Sequence, residues 1–106
     1  MNPPLVADAR VEPAARRLKA LADPTRLRIL IALRVHGERS VQAIMDEVGL
    51  KQANTSKHLG LLAREGLVAR RAEGASAYYS LAEPSVAGIA LLVVSALRAE
   101  AGGYPS

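Results

Sequence analysis

Between Ser40 and Leu81 the hydrophobic pattern changes period once, and that single change leaves few folds open. SVQAIMDEVGL begins the stretch with Val41, Ile44, Met45 and Val48 at helical spacing, behind a serine that can cap the helix start. Gly49 supplies a tight turn, because a residue without Cβ takes positive φ cheaply. KQANTSKHLGLLAREG continues as a second helical run, and Gly66 ends it. Leu67 and Val68 then open a β-leaning run, Ala72-Glu73-Gly74-Ala75 turns the chain, and SAYYSL returns. Tyr78 and Tyr79 alternate on the return strand, so one faces the core and the other the hairpin surface. Alternation alone does not say which.

The second helix of this unit has two unlike faces. Thr55, Leu59 and Leu62 fall on one, with His58 beside them. Gln52, Ala53, Ser56, Lys57, Gly60 and Arg64 cluster towards the other, which is small, polar and basic. Such a face suits a helix lying in a DNA major groove: small residues let the backbone approach, Gln52 can bond base edges, and Ser56 can bond bases or phosphate. Charge is placed in the same region. Residues 51–71 carry Lys51, Lys57, Arg64, Arg70 and Arg71 against Glu65, a net of +4, whereas residues 1–50 carry +2 and residues 72–106 carry −2. A polyanion would meet the chain there. The bland alternative is a solvated face with surplus arginine.

The rest of the chain fits around that unit. At 106 residues there is room for one core, and with half the residues hydrophobic but only three aromatics, all tyrosine, aliphatic side chains must fill it. The absence of cysteine excludes disulfides, thiolate metal sites and thiol redox switching. Residues 1–10 read as a flexible arm and residues 101–106 as a frayed tail, leaving 11–100 as the domain. Val11, Ala14, Ala15, Leu18, Leu21 and Ala22 mark a first helix with Arg16, Arg17 and Lys19 turned away. Asp23 can cap a second helix that starts at Pro24 and is apolar on most sides through Leu27, Ile29, Leu30, Ile31, Leu33 and Val35, a character that belongs in a core. Glu83-Pro84 or Ser85 opens a last helix, VAGIALLVVSALRAE, apolar on nearly every face. A domain this small cannot bury both sides of it, so the simplest cover is the same helix from a second subunit. The N-terminus lacks the apolar run of a signal peptide, and the most apolar segment, residues 86–97 at most, is shorter than the roughly 20 residues a bilayer needs. A cytoplasmic protein without membrane contact is expected. The fold class expected is mainly α with a small β-hairpin: four helices, two strands and a fifth helix, a winged helix-turn-helix.

Three segments, LKALADPTRLRIL (18–30), VGLKQANTSKHLGLLAREGLV (48–68) and RRAEGASAYYSL (70–81), resemble the ArsR/SmtB family of bacterial winged-helix repressors. The resemblance implies a homodimer joined by the first and last helices, with Leu18, Leu21, Ile89, Leu92, Val93 and Leu97 at the interface. It implies two recognition helices on a partly palindromic operator, and release of DNA when an effector binds, often a metal ion. By position, Gln52, Ala53, Asn54, Ser56 and Lys57 sit in the recognition helix, with Arg64 further along it. Arg70, Arg71 and the Glu73-Gly74 tip fall in the wing, which touches backbone or minor groove in such proteins.

Several positions depart from the pattern. Lys51 stands where relatives place a small hydroxyl residue, which weakens the cap by about 1 kcal/mol while offering a phosphate contact. Ala75 stands where a basic residue is common. No thiol lies in Val41 to Val48, and neither histidine nor aspartate lies between Glu83 and Glu100, so the family's usual metal sites do not carry over and no cofactor is evident. The effector is left open among a metal held by oxygen and nitrogen, a small organic molecule, a partner protein, or none. His58 reads as structural or DNA-proximal, and His36 as a cation at a helix C-terminus. A site from His36, Asp8 or Glu12, and Glu100 would need two subunits. Ser56 and His58 are two apart on a helix and cannot share a proton, so no catalytic residue and no enzyme is expected. The alternatives to an effector-released repressor are an effector-independent DNA-binding regulator and a protein-docking winged helix, the latter wanting an apolar or acidic recognition face.

Overall fold

The computed structural model describes residues 5–102. The first four residues of the expected arm and the last four of the expected tail lie outside the described residues. Leu5–Ala7 form one 3-10 turn, and helix α1 follows over Val11–Leu21. Helix α2 spans Pro24–His36, strand β1 Arg39–Ser40, helix α3 Val41–Val48 and helix α4 Gln52–Arg64. Strands β2 (Val68–Glu73) and β3 (Ser76–Leu81) form the hairpin, and helix α5 closes the chain over Ser85–Glu100. The expected order of helices and hairpin is present.

The caps explain where the helices start. The Asp23 side chain accepts from Arg26 N–H at 3.0 Å, with Pro24 at the first position of α2. Ser40 Oγ accepts from Ala43 N–H at 3.1 Å and starts α3. Gly49 leaves α3 in the left-handed conformation at φ 69°, which turns the chain into α4. The Glu83 carboxylate accepts from the Ser85 N–H at 2.9 Å and hydroxyl at 2.6 Å, setting the start of α5.

One element was not expected. β1 pairs with β3 through Arg39↔Tyr79 and Ser40↔Tyr78, so the hairpin becomes a three-stranded antiparallel sheet of order β1-β3-β2. Two residues are too few to show a period of two, and Ser40 already reads as a helix cap. The hairpin register is Val68↔Leu81 through Glu73↔Ser76, leaving Gly74, at φ 57°, and Ala75 as the turn.

The core gathers on α2. Ile29 and Leu30 are fully buried together with Ile44 of α3, Leu59 and Leu62 of α4, and Leu67 just before β2. Tyr79 turns into this core, whereas Tyr78 lies on the hairpin surface. α5 contributes only Val86, Ala87 and Ala90. The two helices that read alike in sequence therefore divide: α2 is buried through its middle, with Val35 near its end left 61% exposed against expectation, and α5 is covered on one side.

Candidate nucleic-acid interface

Helix α4 is held from behind. Thr55 is completely buried, and its hydroxyl donates to the Lys51 carbonyl at 3.0 Å; Leu59 and Leu62 are buried on the same side. No side chain caps the helix: Lys51 occupies the N-cap without a side-chain hydrogen bond, as its chemistry requires. The opposite face is open. Gln52, Ala53, Asn54, Ser56, Lys57 and Arg64 are all exposed, and Gly60 is half-buried. Among the described residues, none of these side chains has a protein hydrogen-bond or ion-pair partner, so their donors and acceptors are free for a ligand.

An open groove of about 450 Å³ runs from Gln52 past Ser40, Gln42 and Met45 to Arg70 and Tyr78. It joins the start of the recognition helix to the base of the wing. Arg70 is exposed on β2 and, like Lys57, is unpaired among the described residues.

Arg71 is placed differently from the phosphate grip expected of it. Its Nε and Nη2 donate to both oxygens of Glu38, at 3.2 and 2.8 Å, and Nη1 donates to Glu73 at 2.7 Å. The guanidinium also lies over the Tyr78 ring, 4.8 Å from its centroid. One cation between two carboxylates is a cluster of net charge −1, which does not attract phosphate. The hydrogen bond from Arg71 holds the Glu38 carboxyl below its ordinary range, and the two carboxylates push the Arg71 guanidinium further up. Arg71 ties the wing to the α2–β1 loop.

Glu38 and Tyr78 are thus functional neighbours that sequence reasoning missed. Tyr78 was within reach, because the hairpin register puts it directly opposite Arg71. Glu38 was not, being 33 residues away with no local pattern to join them.

Away from the groove, Leu18 of α1 and Ile89, Leu92, Val93 and Leu97 of α5 are exposed, Leu92 at 71% and Leu97 at 57%. Leu21 is a correction to the expected interface set. It is 8% exposed and packs into the protomer's own core, because α1 ends there against α2. His36 is exposed at the end of α2, and Asp8 bonds Arg10. Among the described residues no three His, Cys, Asp or Glu side chains come together, and no helix is long and apolar enough to cross a membrane.

A helix pair with a buried inner face, a free polar-basic outer face and a hairpin beside it defines the class of winged helix-turn-helix regulators. Comparison with known proteins agrees. A helix-turn-helix domain family matches residues 21–71. An HTH-type transcriptional regulator of Mycobacterium tuberculosis is 45% identical over 69% of this chain and 64% of its own length. The probable mercury resistance operon repressor of Streptomyces lividans is 38% identical over 74% of this chain and 62% of its own. The chain thus spans less than two thirds of the length of these relatives. The solution structure of a homodimeric winged helix-turn-helix DNA-binding domain from Mycobacterium bovis, a possible ArsR-family regulator, is 33% identical, with a TM-score of 0.75 over 97% of this chain and 98% of that one. This chain belongs to the ArsR/SmtB family of helix-turn-helix transcriptional regulators.

Proposed function

We propose that the chain is a homodimeric transcriptional repressor that reads a partly palindromic operator in double-stranded DNA with α4 of each copy. The observation that carries this reading is the outer face of α4, where Gln52, Ser56 and Lys57 are exposed beside small residues and without protein partners. Gln52 and Ser56 would reach base edges, Lys57 and Arg70 phosphates, and the Gly74 tip the flanking backbone.

The dimer rests on the uncovered side of α1 and α5. Isolated, the protomer has a radius of gyration of 15.8 Å, against about 13 Å for a compact domain of this length. A second copy laid along Leu18, Ile89, Leu92, Val93 and Leu97 removes that surface from water. The reading needs no catalytic residue and no resident cofactor, and it would put the protein in the cytoplasm with the DNA. Release would fall to an effector bound away from the thiol and last-helix positions that this chain leaves empty of ligands.

The test is a fluorescence titration against the DNA upstream of the chain's own gene at two salt concentrations, with sedimentation of the free protein. Salt-sensitive binding by a dimer, weakened along with dimerisation in Leu92→Glu, is expected. No binding at low salt would instead favour a protein-docking role. A panel of divalent ions added to the same titration must shift both operator affinity and melting temperature if a metal is the effector.

A further inference from the structure

Helices α1 and α4 face each other across an open groove of about 270 Å³, lined by Arg16, Lys19, Ala20, Arg26, Leu61 and Glu65. Across it Arg16 Nε lies 3.9 Å from the Glu65 carboxylate, a loose pair with Arg16 largely exposed, and Arg26 makes the closer bridge. Arg26 Nε donates to the Ala20 carbonyl at 2.5 Å, and Arg26 Nη1 lies 3.3 Å from His58 Nδ1 on α4. Arg26 itself is anchored, because its N–H is held by the Asp23 cap at 3.0 Å.

The bridge follows from a gap in the backbone bonding. In a continuing helix the Ala20 carbonyl would accept from the N–H of residue 24, but residue 24 is proline and has none. The Arg26 side chain supplies the missing donor and has a second arm left for α4. An arginine side chain offers donors only, so a bond to it uses the Nδ1 lone pair of His58, and the same Nδ1 lies 3.9 Å from the Asp23 carboxylate.

We infer that Arg26 is a positioning residue that registers the recognition helix to the end of α1, so that a shift of the helix with the open apolar face is passed to the helix that reads DNA. The inference rests on the DNA-binding reading above for its functional half. It assigns Arg26 no contact with DNA. Its planar fork matters as well as its charge, because one guanidinium must serve a carbonyl and an imidazole together.

The probes are a duplex enriched by the wild-type protein from a random pool and a scrambled duplex of the same length. Arg26→Gln and Arg26→Lys are each expected to lower affinity for the enriched duplex roughly tenfold, with the scrambled duplex and the salt slope unchanged. His58→Phe should do the same and add nothing to Arg26→Gln, whereas His58→Asn, whose amide oxygen stands in for Nδ1, should restore binding. Full rescue by Arg26→Lys, or equal loss on both duplexes, overturns the inference, since either outcome makes Arg26 a bare cation. Amide hydrogen exchange without DNA gives an independent reading. Faster exchange confined to the α4 amides around His58 is expected in Arg26→Gln and His58→Phe, and an unchanged profile in both overturns the strut. A wild-type protein that enriches no sequence defeats the DNA reading instead, and the exchange data still decide whether Arg26 sets α4.

Discussion

The recognition helix and the wing carry side chains of the same kind and use them in opposite ways. On α4, Gln52, Ser56 and Lys57 point away from the protein and bond to nothing among the described residues, while Thr55, Leu59 and Leu62 anchor the helix from beneath. On the wing, Arg71 is turned back onto the protein and satisfied by Glu38, Glu73 and the Tyr78 ring. The wing strand β2 buries only Val68, so it has little packing to hold it in place. A helix with a deep inner face can leave its polar face free. A hairpin without one uses a cation as a tie, and that cation is then withdrawn from the ligand.

The largest effect that sharpens this contrast is expected at Gln52. Gln52→Ala should cost about 1–3 kcal/mol of discrimination between the operator and a mismatched duplex, while non-specific binding stays unchanged. Equal loss on both duplexes would remove base reading from Gln52. Next in size, Lys51→Ser should supply the missing α4 cap and stabilise the fold by about 1 kcal/mol, seen as a rise in melting temperature of several degrees. A flat melting temperature would mean that the first turn of α4 is already satisfied by other means.

Salt slopes test the contrast most directly, though the change is smaller. Lys57→Ala and Arg70→Ala should each reduce the slope of log affinity against log salt by about one unit, and Arg71→Ala by much less, because its charge is already neutralised. Equal slopes for Lys57→Ala and Arg71→Ala would break the comparison. The smallest effect is expected in acid. The Arg71 hydrogen bond lowers Glu38, and the Arg26 N–H lowers Asp23. A depressed folded value means that the stabilisation is complete above the unfolded value of about 4 and is lost as pH falls through the folded one. Melting temperature should therefore drop below about pH 4, and less so in Glu38→Gln. An identical acid profile in that variant would show that Glu38 does not hold the wing.

What was legible in the sequence was whatever repeats at short range. The stripe in α3, the two faces of α4, the Asp23 and Ser40 caps and the turn at Gly74 all follow from spacing and local chemistry, and all are present. What was not legible needed the third dimension. α2 and α5 are both apolar on most faces, and only the assembled core separates the helix buried through its middle from the half-covered one. Leu21 shares its apolar stripe with Leu18, yet the turn at Asp23-Pro24 folds Leu21 inward and leaves Leu18 out. β1 was too short to carry a period. The site residues Gln52, Ser56 and Lys57 could be named because helical spacing puts them outward. Whether Arg71 is free could not, because its answer sits on Glu38 in another loop.

The sheet order β1-β3-β2 makes β2 an open edge, with one side of its backbone unpaired. Such an edge is a template on which another chain can add a strand and begin a growing stack. Arg70, Arg71 and Glu73 along β2 oppose this, because a like strand docking there would bring like charges together. Replacing these residues with β-branched apolar ones would do more than change a ligand contact. It would turn the wing into a seed for self-association.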